Sequence, residues 1–125
     1  PEGSDVSSIR VRCGESAVFK WYRVVLGGKA TYDNCSVALS GDGSRYEANI
    51  GYRLGGDDLL DVNCEAVHTG KKTESLINAS GVLFGHASKL LRGTIDLRRG
   101  CAGAVGNETE DVLLMDETVR NKSFP

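Results

Sequence analysis

The residues of this 125-residue chain best suited to metal or nucleophilic chemistry are its four cysteines and two histidines, and their spacing favours neither use. Cys13, Cys35, Cys64 and Cys101 form no Cys-x-x-Cys pair, and no interval between them fits a zinc site or a ferredoxin-type run. All but Cys101 fall inside strand-like runs, where a thiol acts as a small buried hydrophobe. Cys101 falls at a turn and is expected to be the most accessible. Two disulfides in a secreted protein are the other reading of an even count. Asn-x-Ser/Thr sequons at Asn34, Asn78, Asn107 and Asn121 would suit that compartment, although so short a pattern recurs by chance. His68 ends a strand-like run and His86 follows a glycine turn. Neither has a ligating residue at metal-site spacing, so both read as strand-end polar residues.

Other catalytic constellations are equally thin. No Gly-x-Ser-x-Gly is present, and Gly41-Asp42-Gly43-Ser44 reads as a turn. Asp57, Asp58 and Asp61 are the one tight acidic group a glycosidase reading could use, but Asp57-Asp58 reads as a turn cap. Gly103-Ala104-Val105-Gly106 lacks the helix a phosphate cradle needs. Trp21 and Tyr22 lie in an apolar run and read as core. No catalytic, metal or cofactor residue is assigned, and an enzyme is not expected. The net charge of −2 and the pI near 5.7 give no basis for nucleic-acid binding. No apolar run approaches the roughly 18–20 residues that span a bilayer.

The elements that would position any site are set by turns. Glycine-marked turns begin at Gly27, Gly41, Gly55, Gly70, Gly85 and Gly100, at intervals of 14 or 15 residues. A fixed turn period marks a stacked or meandering all-β architecture. Residues 44–54 show the clearest strand: Tyr46, Ala48, Ile50, Tyr52 and Leu54 alternate with polar residues, so period two sends them to the packed face. Leu60, Val62, Cys64 and Ala66 repeat the pattern, as do Ile9, Val11 and Cys13, and Leu91, Gly93, Ile95 and Leu97. Between Tyr32 and Cys35 the apolar phase shifts, which predicts a bulge near Asp33-Asn34. Val112-Leu113-Leu114-Met115 reads as a last buried strand, and Val119 as the start of another. Residues 1–8 read as an N-terminal loop, and both ends as cut from a longer parent. The whole is one β domain over 1–125.

Two arrangements fit the period. One is an antiparallel meander or sandwich, which as a secreted module would bind a ligand or glycan. The other is a parallel β-helix with two strands per coil of about 29 residues. In the second, Cys35 and Cys64 stack one coil apart, as do Tyr46 and Ser75.

The second half carries an ordered series: Gly81-Val82-Leu83-Phe84-Gly85-His86-Ala87, Arg92-Gly93-Thr94-Ile95-Asp96-Leu97, Gly103 to Glu108, Val112 to Met115, and Asn121-Lys122-Ser123. This series resembles the SufB/SufD family of SUF iron–sulfur cluster assembly scaffolds, with the SufD branch the nearer match. The resemblance runs over about residues 15–125 and is strongest from 76 onward. It implies a right-handed parallel β-helix, a cytoplasmic protein with reduced thiols, and a non-catalytic scaffold. Its partners would be SufB-like subunits and the SufC-like ATPase, with a cluster forming where two β-helices pair side by side. In the family, a Cys-bearing strand and a His-Gly-Ala motif follow the Asn-Lys-Ser-x-Pro segment, and a helical ATPase-docking domain lies beyond. Those features fall past Pro125, so no family functional residue maps onto a numbered position and no cofactor is expected within the chain. An open β-helix of this length is expected to self-associate.

Overall fold

Side chains that alternate in and out along ten-residue strands can be buried on one face only by stacking against like strands, and the chain does so coil upon coil. The computed structural model describes residues 4–27, 29–115 and 120–124. It contains β1 (Ser4–Cys13), β2 (Val18–Val25), β3 (Ala30–Leu39), β4 (Arg45–Leu54), β5 (Leu59–His68), β6 (Glu74–Leu83), β7 (Ser88–Leu97), β8 (Val105–Leu114) and β9 (Arg120–Phe124), with no helix among the described residues. Odd strands form one sheet in the order β1-β3-β5-β7-β9, and even strands a second in the order β2-β4-β6-β8. Every pairing is parallel. This is a β-solenoid of about four coils, and the antiparallel sandwich is excluded.

The coil length follows from register. Ala30 pairs with Leu59, Arg45 with Glu74 and Leu59 with Ser88, each 29 residues apart. Cys35 lies beside Cys64 and Tyr46 beside Ser75, as the period predicts. The repeat shortens to 26 residues between Ser4 and Ala30 and lengthens to 32 between Ser88 and Arg120, so the turns absorb the variation. Inward side chains of the two sheets meet in one core that includes Val37, Leu39, Tyr46, Ile50, Leu54, Leu60, Val62, Ile77, Leu83 and Leu91.

Turns stack as regularly as strands. Ser16 N–H donates to the Asp42 carbonyl (2.9 Å), Gly43 N–H to that of Lys71 (2.8 Å) and Lys72 N–H to that of Ala102 (2.9 Å). These corner residues share a left-handed backbone, with φ of 57° at Ser16, 72° at Gly43 and 55° at Lys72. Only one of the three is glycine, because the hydrogen bonds to the next coil impose a conformation that the other two adopt at a steric cost. The first turn, at residues 14–17, continues the glycine period one step upstream.

Several expectations are corrected. Residues 4–8 are not loop but part of β1, paired with Ala30–Asn34. Their Ser/Asp-rich composition suggests a loop, yet backbone pairing along a sheet edge does not require apolar side chains. Residues 1–3 lie outside the described residues, as does Val119. No bulge interrupts Asp33-Asn34, since β3 keeps one register from Ala30 to Leu39 against both neighbours. Asp33 instead faces inward, a carboxylate between Thr31 and Cys35 in the buried file of β3. Tyr22 is exposed rather than core, because β2 turns Phe19, Trp21, Arg23 and Val25 inward and Val18, Tyr22 and Val24 outward. Leu97, at the end of β7, is also exposed. Leu113, Leu114 and Met115 are half-exposed or more, since β8 is hydrogen-bonded to β6 on one side only among the described residues.

Candidate functional site

Polar chemistry in this molecule sits inside the solenoid, at four places along its axis. In the central coils, the stacked thiols of Cys35 and Cys64 face Tyr46 from the opposite sheet, and the Tyr46 hydroxyl donates to Cys35 Sγ at 3.3 Å. Burial pushes the Cys13 and Cys35 thiols up from their ordinary range, and that of Cys64 to about 12. A thiol held neutral and out of solvent is a poor nucleophile. All four cysteines are free, with Cys101 half-buried at its turn. The disulfide reading is thereby overturned.

Near one corner, fully buried His68 contacts Thr73 Oγ1 through Nδ1 (2.7 Å) and Ser75 Oγ through Nε2 (2.8 Å). It is therefore a buried core group rather than a solvated strand-end residue. The Ser75–His68–Thr73 line has the connectivity of an activated hydroxyl, but every member is buried and Gly106 stacks directly on Ser75. Burial holds the His68 pKa below its ordinary value, so the ring is neutral and structural. His86 is exposed at its turn.

Two ion pairs flank this core. In the first coils Arg23 Nε reaches Asp33 Oδ2 at 2.6 Å, with Asp5 at 3.5 Å from the guanidinium. The Asp33 side chain is 1% exposed, so the pair is what makes an inward carboxylate tolerable. In the last coils Lys89 Nζ meets Glu110 Oε1 at 2.5 Å and lies 5.6 Å from the centroid of the Tyr52 ring. Glu108 also points inward, into the space where Gly93 lacks a side chain. Desolvation raises the Glu108 pKa and lowers that of Lys89, with Glu110 pulling Lys89 back up. The Tyr52 hydroxyl is buried with no hydrogen-bond partner among the described residues.

Sequence reasoning missed both pairs. Asp33 was hidden by an apparent phase shift, and Lys89 and Glu110 sit 21 residues apart on facing strands. The signal that could have found them is a charged residue at an inward position of the alternation. The acidic group that was singled out does not converge: Asp58 accepts from Gly55 N–H as a turn cap (3.1 Å), and Asp61 pairs outside with Arg92 (2.8 Å). Among the described residues, no group of three or more His, Cys, Asp or Glu could hold a metal ion.

The outer faces carry ladders instead. Asn63 Nδ2 donates to Asn34 Oδ1 at 2.9 Å on the odd sheet. On the even sheet Asn49, Asn78 and Thr109 form a hydrogen-bonded row. Two of the sequon asparagines are thus ladder residues whose side-chain amides bond to the neighbouring coil.

These observations describe a parallel β-solenoid with polar groups sealed in its interior and patterned outer faces. The chain matches the SufBD core domain of the SUF system for FeS cluster assembly over residues 2–125, and it belongs to that family. It is 25% identical over 116 residues to iron–sulfur cluster assembly SufBD family proteins of Mycobacterium tuberculosis and Mycobacterium bovis, an overlap covering 93% of this chain and 14% of theirs. A protein so named from Synechocystis sp. is 25% identical over 112 residues, 90% of this chain and 23% of its own. The chain therefore spans less than a quarter of the length of these relatives. No helix among the described residues is long and apolar enough to cross a membrane.

Proposed function

We propose that this chain is the β-helical core of a SufD-like subunit that serves iron–sulfur cluster assembly as a non-catalytic scaffold. Its partners in this reading are a SufB-like subunit and a SufC-like ATPase, and its compartment is the cytoplasm. The observation that carries the reading is the family match along 2–125, on a solenoid whose four thiols are free and three of them, Cys13, Cys35 and Cys64, buried. Reduced, shielded thiols suit a reducing compartment, and stiff stacked coils suit a role exerted through surfaces. Cluster iron and sulfide are cargo of the parent complex, and no residue of this chain is assigned to hold them.

The test is co-purification. The chain, set in its parent subunit, is expected to retain SufB-like and SufC-like subunits from a cell co-expressing all three, and cluster yield in that cell is expected to fall when it is deleted. Failure to retain either partner, with the chain folded by circular dichroism, would remove the scaffold reading.

A further inference from the structure

Two cysteines stack in the inner file of the odd sheet, and we propose that Cys35 and Cys64 together form a two-coordinate site for the soft monovalent cation Cu(I). Along this file Ile9, Cys35, Cys64 and Gly93 are register partners on β1, β3, β5 and β7. Both thiols are fully buried and free. In-register side chains of parallel strands leave the sheet side by side, so they stand apart by the strand spacing, about 4.8 Å. One hydroxyl marks where the two sulfurs converge. Tyr46, on the facing sheet, donates to Cys35 Sγ at 3.3 Å and is also within hydrogen-bond reach of Cys64. Its ring is held by stacking on Phe19, with centroids 5.9 Å apart and planes 11° from parallel.

The donor set decides the cation. A disulfide needs the two Cβ atoms about 3.5–4.5 Å apart. Side chains parallel at the strand spacing stay wider, so closing that bond would have to draw two coils together. A cation in line between two sulfurs spans about 4.6 Å, twice a metal–thiolate bond of roughly 2.3 Å, and the stacking supplies that span as it stands. Structural zinc and iron–sulfur clusters take four protein ligands. Among the described residues, no group of three or more His, Cys, Asp or Glu is placed to begin such a set. Calcium and magnesium take oxygen ligands. Two thiolates with no nitrogen or oxygen beside them select Cu(I).

Binding exchanges protons for metal. Each S–H bond leaves its electron pair to a sulfur–copper bond, and both protons pass to solvent. Copper remains Cu(I), so no oxidant or reductant takes part. The product carries one negative charge, where two bare thiolates would carry two, and the Tyr46 hydroxyl donates to it. The bridge ties β3 to β5, one coil to the next. This site rests on register and donor chemistry alone, so it and the scaffold reading fail separately.

Cu(I) itself is the probe. Because the two thiols are sealed, the Cys13→Ala/Cys101→Ala chain is refolded from urea without oxygen in the presence of Cu(I). It is then passed over a weak Cu(I) chelator, with the wild type in parallel. One copper per folded chain is expected in both, with two sulfur neighbours and no nitrogen or oxygen neighbour in X-ray absorption. Adding Cys35→Ala or Cys64→Ala is expected to weaken retention about a hundredfold or more, since loss of even an outer partner of a metal site costs roughly 10–100-fold. Circular dichroism checks that each variant is folded. Should Cys13→Ala prevent folding, Cys101→Ala alone serves as the background. No retained copper in the folded chain would overturn the proposal. So would retention unchanged by both Cys35→Ala and Cys64→Ala, or a third sulfur neighbour, which would mean copper shared between chains.

Discussion

Breaking the Lys89–Glu110 pair from one side is expected to damage the fold, whereas replacing both partners is not. Lys89 is 1% exposed in its side chain and Glu110 17%, and their charged atoms are 2.5 Å apart. Glu110→Gln leaves an ammonium in the core without its closest counter-charge. Losses of this kind run to about 3–5 kcal/mol, and the partial exposure of Glu110 and the nearness of Glu108 place this one near the low end, at about 3 kcal/mol. For a domain of this size that is a fall in Tm of roughly 10 °C. The double variant Lys89→Met with Glu110→Leu removes both desolvation costs and fills similar volume, so it should lie within about 1 kcal/mol of wild type, on either side.

The assay is urea denaturation followed by far-UV circular dichroism at several pH values. Burial holds the Lys89 pKa below its ordinary 10.5 even while Glu110 pulls it up. In Glu110→Gln the folded pKa falls further. Between that pKa and 10.5 the unfolded chain holds more protons at Lys89 than the folded one, so the deficit of the variant relative to wild type must shrink as pH rises through that window. The buried thiols of Cys13, Cys35 and Cys64, whose raised pKa values pull stability the other way above about pH 9, are common to both proteins and drop out of the difference. A Glu110→Gln variant as stable as wild type would refute the reasoning. So would a double variant as damaged as the single, or a deficit relative to wild type that does not shrink toward about pH 10.

Three further outcomes are expected. A thiol reagent added to the native chain should modify Cys101 first, with Cys13, Cys35 and Cys64 reacting only on unfolding. Rapid reaction of all four would contradict their burial. The His68 pKa is lowered by burial, so its contribution to stability is complete above about pH 6.5 and is lost as pH falls toward the folded value. His68→Gln should flatten that acid limb of a denaturation profile, and an unchanged limb would assign it to other groups. Gly70→Ala brings a Cβ to 2.6 Å from the Gly41 carbonyl oxygen of the adjacent coil. Backbone cannot swing away as a side chain can, so a loss of about 1–3 kcal/mol is expected, and an unchanged urea midpoint would show the turns to be loosely stacked.

Much of this protein was settled by local pattern. Turn period and in–out alternation depend only on nearest neighbours along the chain. Residues 44–54 and 60–66 therefore announced their buried faces, and the 29-residue interval announced Cys35 beside Cys64. Periodicity could not decide strand direction, because parallel and antiparallel strands alternate alike; the register of stacked coils decided it. Nor could local pattern show what an inward charge meets. Asp33 and Glu110 oppose the apolar rule along their own strands, and each is tolerated only because a cation on a facing strand arrives at its oxygen. The exposed corner of the even sheet had the same origin. Val24, Arg53, Val82, Asp111 and Leu113 are scattered over four strands and become one surface only when the coils stack, since coiling turns a separation of some thirty residues into a single strand spacing.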